Sequence, residues 1–297
     1  MIMNKGFIDT KGGKIWYSVY GKRKKKIPLL VLHGGPGFLS MPEVIKNLSD
    51  QRPVYFYDQL GCGRSDRAAD KSFYSVKNYI NELVEVRKQL GLEKVYLMGF
   101  SWGTMLICSY LLTKKPKGIK GLVLSGPYLS SSRWHADQRE KIANLAPNFK
   151  KVIEDAEKKK EYGEKYEKAM MHYYQKHVCR LKPWPKYLQD AFVKLNMDVY
   201  LTMWGPSEFT ITGTLKNYDL LPELVKIKQP VLLTCGDYDE AGVKTVKDYQ
   251  MNFKNASMAV LPNSSHLHHL EKPGVYLQIV RNFLKETELI RKGRKRV

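Results

Sequence analysis

The segment Gly99-Phe100-Ser101-Trp102-Gly103 is the part of this sequence best placed to do chemistry. It follows an apolar, strand-like run and opens a helix-like one. A serine flanked by glycines can occupy a strained strand-to-helix turn where larger neighbours would clash. The helix that follows points its N-terminal dipole at the same spot and favours negative charge developing there. A serine hydroxyl is a weak nucleophile until a base takes its proton, so a histidine and an orienting acid are required. In folds that carry a serine on such an elbow, the acid and then the histidine follow it along the chain.

Two later loops meet that order. Residues 231–235 read as a strand, and the loop after it is Gly236-Asp237-Tyr238-Asp239-Glu240. Spacing leaves both Asp237 and Asp239 open as the acid. Residues 259–261 read as the last strand, followed by Pro262-Asn263-Ser264-Ser265-His266. His266 is the candidate base; His268 and His269 fall inside or beyond the next helical turn. An acyl-transfer site also needs hydrogen-bond donors for an oxyanion. The backbone N–H of Trp102 supplies one. The second is assigned to Gly35, in the loop His33-Gly34-Gly35-Pro36-Gly37 that closes another strand-like run. No step of this chemistry calls for a metal or an organic cofactor.

These residues need a frame to bring them together. Strand-like runs at 14–20, 28–32, 53–57, 94–98 and 121–124 alternate with helical patterns at 74–90 and 104–112. Such alternation argues for right-handed βαβ units and a mainly parallel sheet flanked by helices. After Pro127 the pattern changes: to about residue 212 it is rich in Lys, Glu, Tyr and Trp at helical spacing, with 150–168 reading as one charged helix. Strands return at 229–235 and 256–261, and 273–285 reads as a closing amphipathic helix. The fold class expected is α/β, an α/β-hydrolase core of residues 1–126 and 213–297 with a helical cap of 127–212 inserted.

Composition narrows the class of protein. The chain has 297 residues, 43% hydrophobic and 11% aromatic, enough for a sizeable core and inconsistent with wholesale disorder. The first twenty residues lack an apolar signal region, and no stretch approaches the roughly 18 apolar residues of a membrane span. Cys62, Cys108, Cys179 and Cys235 are widely spaced, so reduced thiols and a cytoplasmic location are expected. The net charge of +21 is spread along the chain, with basic runs at 22–26 and 291–296 expected as a loop tip and a frayed tail. Charge runs are usually solvated faces, and no nucleic-acid-binding motif accompanies them.

Together the motifs resemble the proline iminopeptidase family of α/β-hydrolases. The resemblance rests on His33–Gly37, on Asp58-Gln59-Leu60-Gly61-Cys62-Gly63-Arg64-Ser65, on the elbow at Ser101, on Gly236–Glu240 and on Ser264-Ser265-His266. It spans about residues 5–285. The segment Gly205-Pro206-Ser207-Glu208-Phe209-Thr210-Ile211-Thr212-Gly213-Thr214 is similar to the tricorn-interacting aminopeptidases within that family. The resemblance implies Asp239 as the acid, and Glu208 and Glu240 as carboxylates that grip a substrate's free α-amino group. It implies a serine exopeptidase acting on short peptides or amino-acid amides, preferring proline or broader. Phe100 is bulkier than the residue often found before the family's serine. An esterase, amidase or acyltransferase on the same triad, and a non-catalytic basic scaffold, are the alternative functions.

Overall fold

The structure, a computed structural model, describes residues 3–293. One eight-stranded sheet organises the chain: β1 (Met3–Thr10), β2 (Gly13–Tyr20), β3 (Leu29–Leu32), β4 (Val54–Tyr57), β5 (Val95–Phe100), β6 (Ile119–Ser125), β7 (Val231–Gly236) and β8 (Ala256–Leu261). Their spatial order is β1-β2-β4-β3-β5-β6-β7-β8. The β1–β2 and β2–β4 pairs are antiparallel, and the other five pairs are parallel.

Alternation along the strands builds a core on each face of the sheet. Leu30, Leu32, Leu97, Leu122 and Leu233 pack on one side, with α1 (Val76–Gln89) and α2 (Trp102–Lys114). Their neighbours Leu29, Val31, Met98, Val123 and Leu232 point to the other, where the last helix supplies Tyr276, Val280 and Phe283. Both faces of β3, β5 and β7 are buried, which is why these strands read as unbroken apolar runs. β1 escapes a sequence reading because it is an edge strand, polar and mostly exposed, whose one strand partner among the described residues is β2.

Between β6 and β7 the chain leaves the sheet and forms α3 (Ser131–Ala143), α4 (Pro147–Lys159), α5 (Glu164–His177), α6 (Lys186–Val193) and α7 (Met197–Met203). These helices carry their own apolar cluster around Ile153, Tyr166, Tyr173 and Phe209. The single helix expected over 150–168 is two. Lys160 takes a left-handed φ of 59° after the end of α4, and Gly163 caps the start of α5. The remaining helices are α8 (Val243–Asn252), α9 (His268–Glu271) and α10 (Pro273–Gly293). The 22–26 run is the exposed connection that leaves β2. α10 carries the chain through the start of the 291–296 run, whose remainder lies outside the described residues. All four cysteines are free and buried, and no helix among the described residues is long and apolar enough to cross a membrane.

Candidate active site

The C-terminal ends of the parallel strands gather the chemistry. Ser101 sits between β5 and α2 with φ 49° and ψ −120°, a conformation that costs energy and aims the hydroxyl away from the sheet. Packing enforces the turn. A Cβ on Gly99 would stand 2.6 Å from the Gly103 backbone, and one on Gly103 would stand 2.6 Å from the Leu32 carbonyl oxygen. The Ser101 N–H donates to the Ser125 carbonyl on β6 at 3.0 Å, tying the elbow to the neighbouring strand.

The loops after β7 and β8 bring Asp239 and His266 into contact, with Nδ1 of His266 2.7 Å from Oδ1 of Asp239. A carboxylate only accepts, so Nδ1 carries the proton and Nε2 is the nitrogen left to act as a base. Asp237 does different work: its carboxylate accepts the N–H groups of Asn263 and Ser264 at 3.0 Å, tying the two loops together. Burial would raise the Asp239 carboxyl, but the charge and hydrogen bond of His266, with His268 beside it, hold it well below the usual range. For His266 burial opposes a charge on the ring; Asp239, then Glu240 and Glu208, outweigh it and lift the ring to about 9. The helices between β6 and β7 meet this pair directly, since the His177 carbonyl at the end of α5 accepts the His266 N–H and the His177 ring bonds the Tyr238 carbonyl.

Ser101, His266, Glu208, Gly34 and Gly35 line one cavity, whose walls are otherwise dominated by apolar side chains such as Phe38, Phe100, Phe192 and Leu267. Asp239, Glu240 and Trp102 stand behind that lining. Gly34 lies so close to the elbow that a Cβ on it would be 3.1 Å from Cβ of Ser101. Gly35 follows it with φ 44°, and Trp102 opens α2, where a helix leaves its first N–H groups unpaired.

The structure also gives a mechanical role to the Asp58–Ser65 motif, which the sequence offered only as a signature. Gln59 N–H donates to Nε2 of His33 at 3.0 Å, so the His33 proton lies on Nδ1, which donates to the Gly34 carbonyl at 2.9 Å. Burial lowers the basicity of His33 and keeps the ring neutral. The Gln59 side chain accepts the Trp102 indole N–H at 2.8 Å and donates to the His33 carbonyl at 3.3 Å. One glutamine thus clamps the His33–Gly37 loop and the start of α2 together. Asp58 anchors the motif from below, accepting from Ser40 and Arg64 while fully buried.

Two carboxylates complete the site. Glu208 accepts the Tyr200 hydroxyl at 2.8 Å, and its backbone is held by Tyr174 and Trp134. Glu240 is fully buried, and neither carboxylate oxygen has a hydrogen-bond partner among the described residues. Burial, then repulsion from Glu208, pushes its carboxyl well above the usual range; burial likewise raises Glu208. A buried, unpartnered acid next to another acid is costly and is relieved by a cation.

Known proteins share this fold. The family model described as "alpha/beta hydrolase fold" matches residues 27–273. The chain is 37% identical over 282 residues to a proline iminopeptidase of Heyndrickxia coagulans, covering 94% of this chain and 98% of that one. The chain belongs to the proline iminopeptidase family of α/β-hydrolases. Solved structures of the same architecture include the proline iminopeptidase of Mycobacterium smegmatis, with TM-score 0.87 and 29% identity over 97% of this chain and 99% of that one. VinJ superposes with TM-score 0.92 and 32% identity over 96% and 99% of the two chains. The family match spans the His33–Gly37 loop, the turn at Ser101 and the two loops that carry Asp239 and His266.

Proposed function

We propose that this chain is a serine exopeptidase that releases the N-terminal residue of short peptides or amino-acid amides, proline among them, through an acyl-enzyme. Ser101 Oγ attacks the carbonyl carbon of the first residue while Nε2 of His266 takes its proton. Asp239 holds the imidazole by Nδ1–H and stabilises the charge that forms on it. The Gly35 and Trp102 N–H groups receive the oxyanion. His266 then protonates the leaving amine, and water, activated by the same nitrogen, hydrolyses the ester. Residues 127–212 act as the cap over a core of 1–126 and 213–297.

The observation that carries the exopeptidase reading is the Glu208–Glu240 pair. An enzyme that trims one residue must measure from the chain end, and the α-ammonium is the mark of that end. Buried carboxylates facing it give a fixed, charge-assisted reference. A positive charge arriving here lets the glutamates ionise and pair with it. Substrates of this kind suit the cytoplasm, where four free thiols stay reduced.

The nucleophile is tested by intact-mass spectrometry after treatment with a serine-directed phosphonate. One adduct per chain is expected, mapped to Ser101, and none in Ser101→Ala. Labelling elsewhere, or persisting in the variant, overturns the assignment.

A further inference from the structure

The acid of the triad faces a second imidazole. His266 engages Oδ1 of Asp239, while Nδ1 of the fully buried His268 lies 3.5 Å from Oδ2. Nδ1 of His268 is also 3.2 Å from the Ser265 carbonyl oxygen. Both neighbours are acceptors, so this nitrogen carries a proton, which it donates to the nearer Ser265 carbonyl with the carboxylate at the outer edge of its reach. The other ring nitrogen meets the Thr234 hydroxyl at 2.9 Å, and a hydroxyl serves in either role. From there the chain of contacts runs to Ser125 at 3.0 Å and on to the Tyr276 hydroxyl at 2.5 Å. Ser125 closes the loop: its side chain lines the active cavity and its carbonyl accepts the Ser101 N–H. None of His268, Thr234 or Tyr276 has a part in the reaction described above.

We infer that His268 is a positioning residue, which tethers Oδ2 of Asp239 so that Oδ1 stays aimed at His266. The proposal rests on Asp239 being the triad acid. The other donor to Oδ2 among the described residues is the Gly236 N–H, at 3.3 Å. Oδ1 is better held, by His266 and by the Ala241 N–H at 2.9 Å. Without His268, Oδ2 keeps only the Gly236 N–H, and the loosened carboxylate lets the His266 ring drift off its line to Ser101. A misdirected base slows proton transfer and leaves substrate binding intact, so the effect falls on kcat.

Two variants separate positioning from packing. His268→Phe keeps a ring in the buried site and loses both polar contacts. His268→Asn keeps an N–H donor close to the place of Nδ1. Turnover of alanyl amide is measured per active site, counted by phosphonate titration, with Asp239→Asn alongside. His268→Phe is expected to lower kcat about tenfold with KM within about twofold, and His268→Asn to recover most of the loss. Wild-type kcat in His268→Phe, or equal losses in both variants, overturns the role of His268 while Asp239→Asn remains inactive. Full activity in Asp239→Asn instead overturns the triad assignment beneath it.

Discussion

Replacing Glu240 by Gln separates the roles the site combines. The side chain is fully buried, both oxygens lack partners among the described residues, and burial with repulsion from Glu208 pushes its carboxyl well above the usual range. A glutamine of the same shape therefore loses little in the ligand-free protein, and Tm should stay the same or rise slightly. With an ammonium in place the comparison reverses, because the variant cannot supply the second negative charge. Removing one partner of a buried ion pair costs about 3–5 kcal/mol, and Glu208 remains to soften the loss. We expect about 3 kcal/mol, or roughly a hundredfold in kcat/KM for a free-amine amide. An activated ester without an amine reads the triad separately and should lose far less than the amide. Wild-type kcat/KM on the amide would refute the anchor. An equal loss on the ester would show that the substitution disturbs the triad instead.

Gly126 has φ 52°, and a Cβ there would stand 2.6 Å from Cε1 of His266. Gly126→Ala should displace the imidazole and cut kcat by about a hundredfold, with about 1–2 kcal/mol lost in thermal melts; unchanged kcat contradicts the ring position. Glu82, beneath the Asp58–Ser65 motif, accepts the Leu60 N–H and is pushed by burial up to about 8. Its folded value lies above the unfolded one, so its contribution is full below about pH 4.5 and fades as pH rises towards 8, by up to ~1.4 kcal/mol per unit. Glu82→Gln should flatten the fall in stability between pH 5 and 8 in denaturant titrations, and an unchanged slope removes Glu82 as its source.

Much of this architecture was legible because its signals are local. The elbow is five consecutive residues whose glycines are demanded by backbone contacts a few residues away and across one strand. The β5 and β7 strands announce themselves by unbroken apolar runs, and the loops after β7 and β8 place an acid and a histidine by order alone. What stayed hidden depends on distance. Spacing could not separate Asp237 from Asp239; the fold turns one towards Asn263 and Ser264 and the other towards His266. Glu208 reads as an ordinary polar residue until Trp134, Tyr174 and Tyr200, from three different helices, close around it. The Gln59 clamp joins segments 26 and 43 residues apart, which no periodicity reports. The edge strand β1 lacks an apolar pattern because it has little to bury.

The central claim is that the site reads a free amino terminus. It is tested most directly by measuring kcat/KM for alanyl amide and for N-acetyl-alanyl amide with the same leaving group, with Ser101→Ala as the blank. The account predicts that the free amine is turned over and the acetylated compound is refused by at least about a hundredfold, the cost of leaving the buried glutamates without a cation. Comparable turnover of the two, lost in Ser101→Ala, would contradict it and make the protein an amidase or esterase indifferent to the chain end.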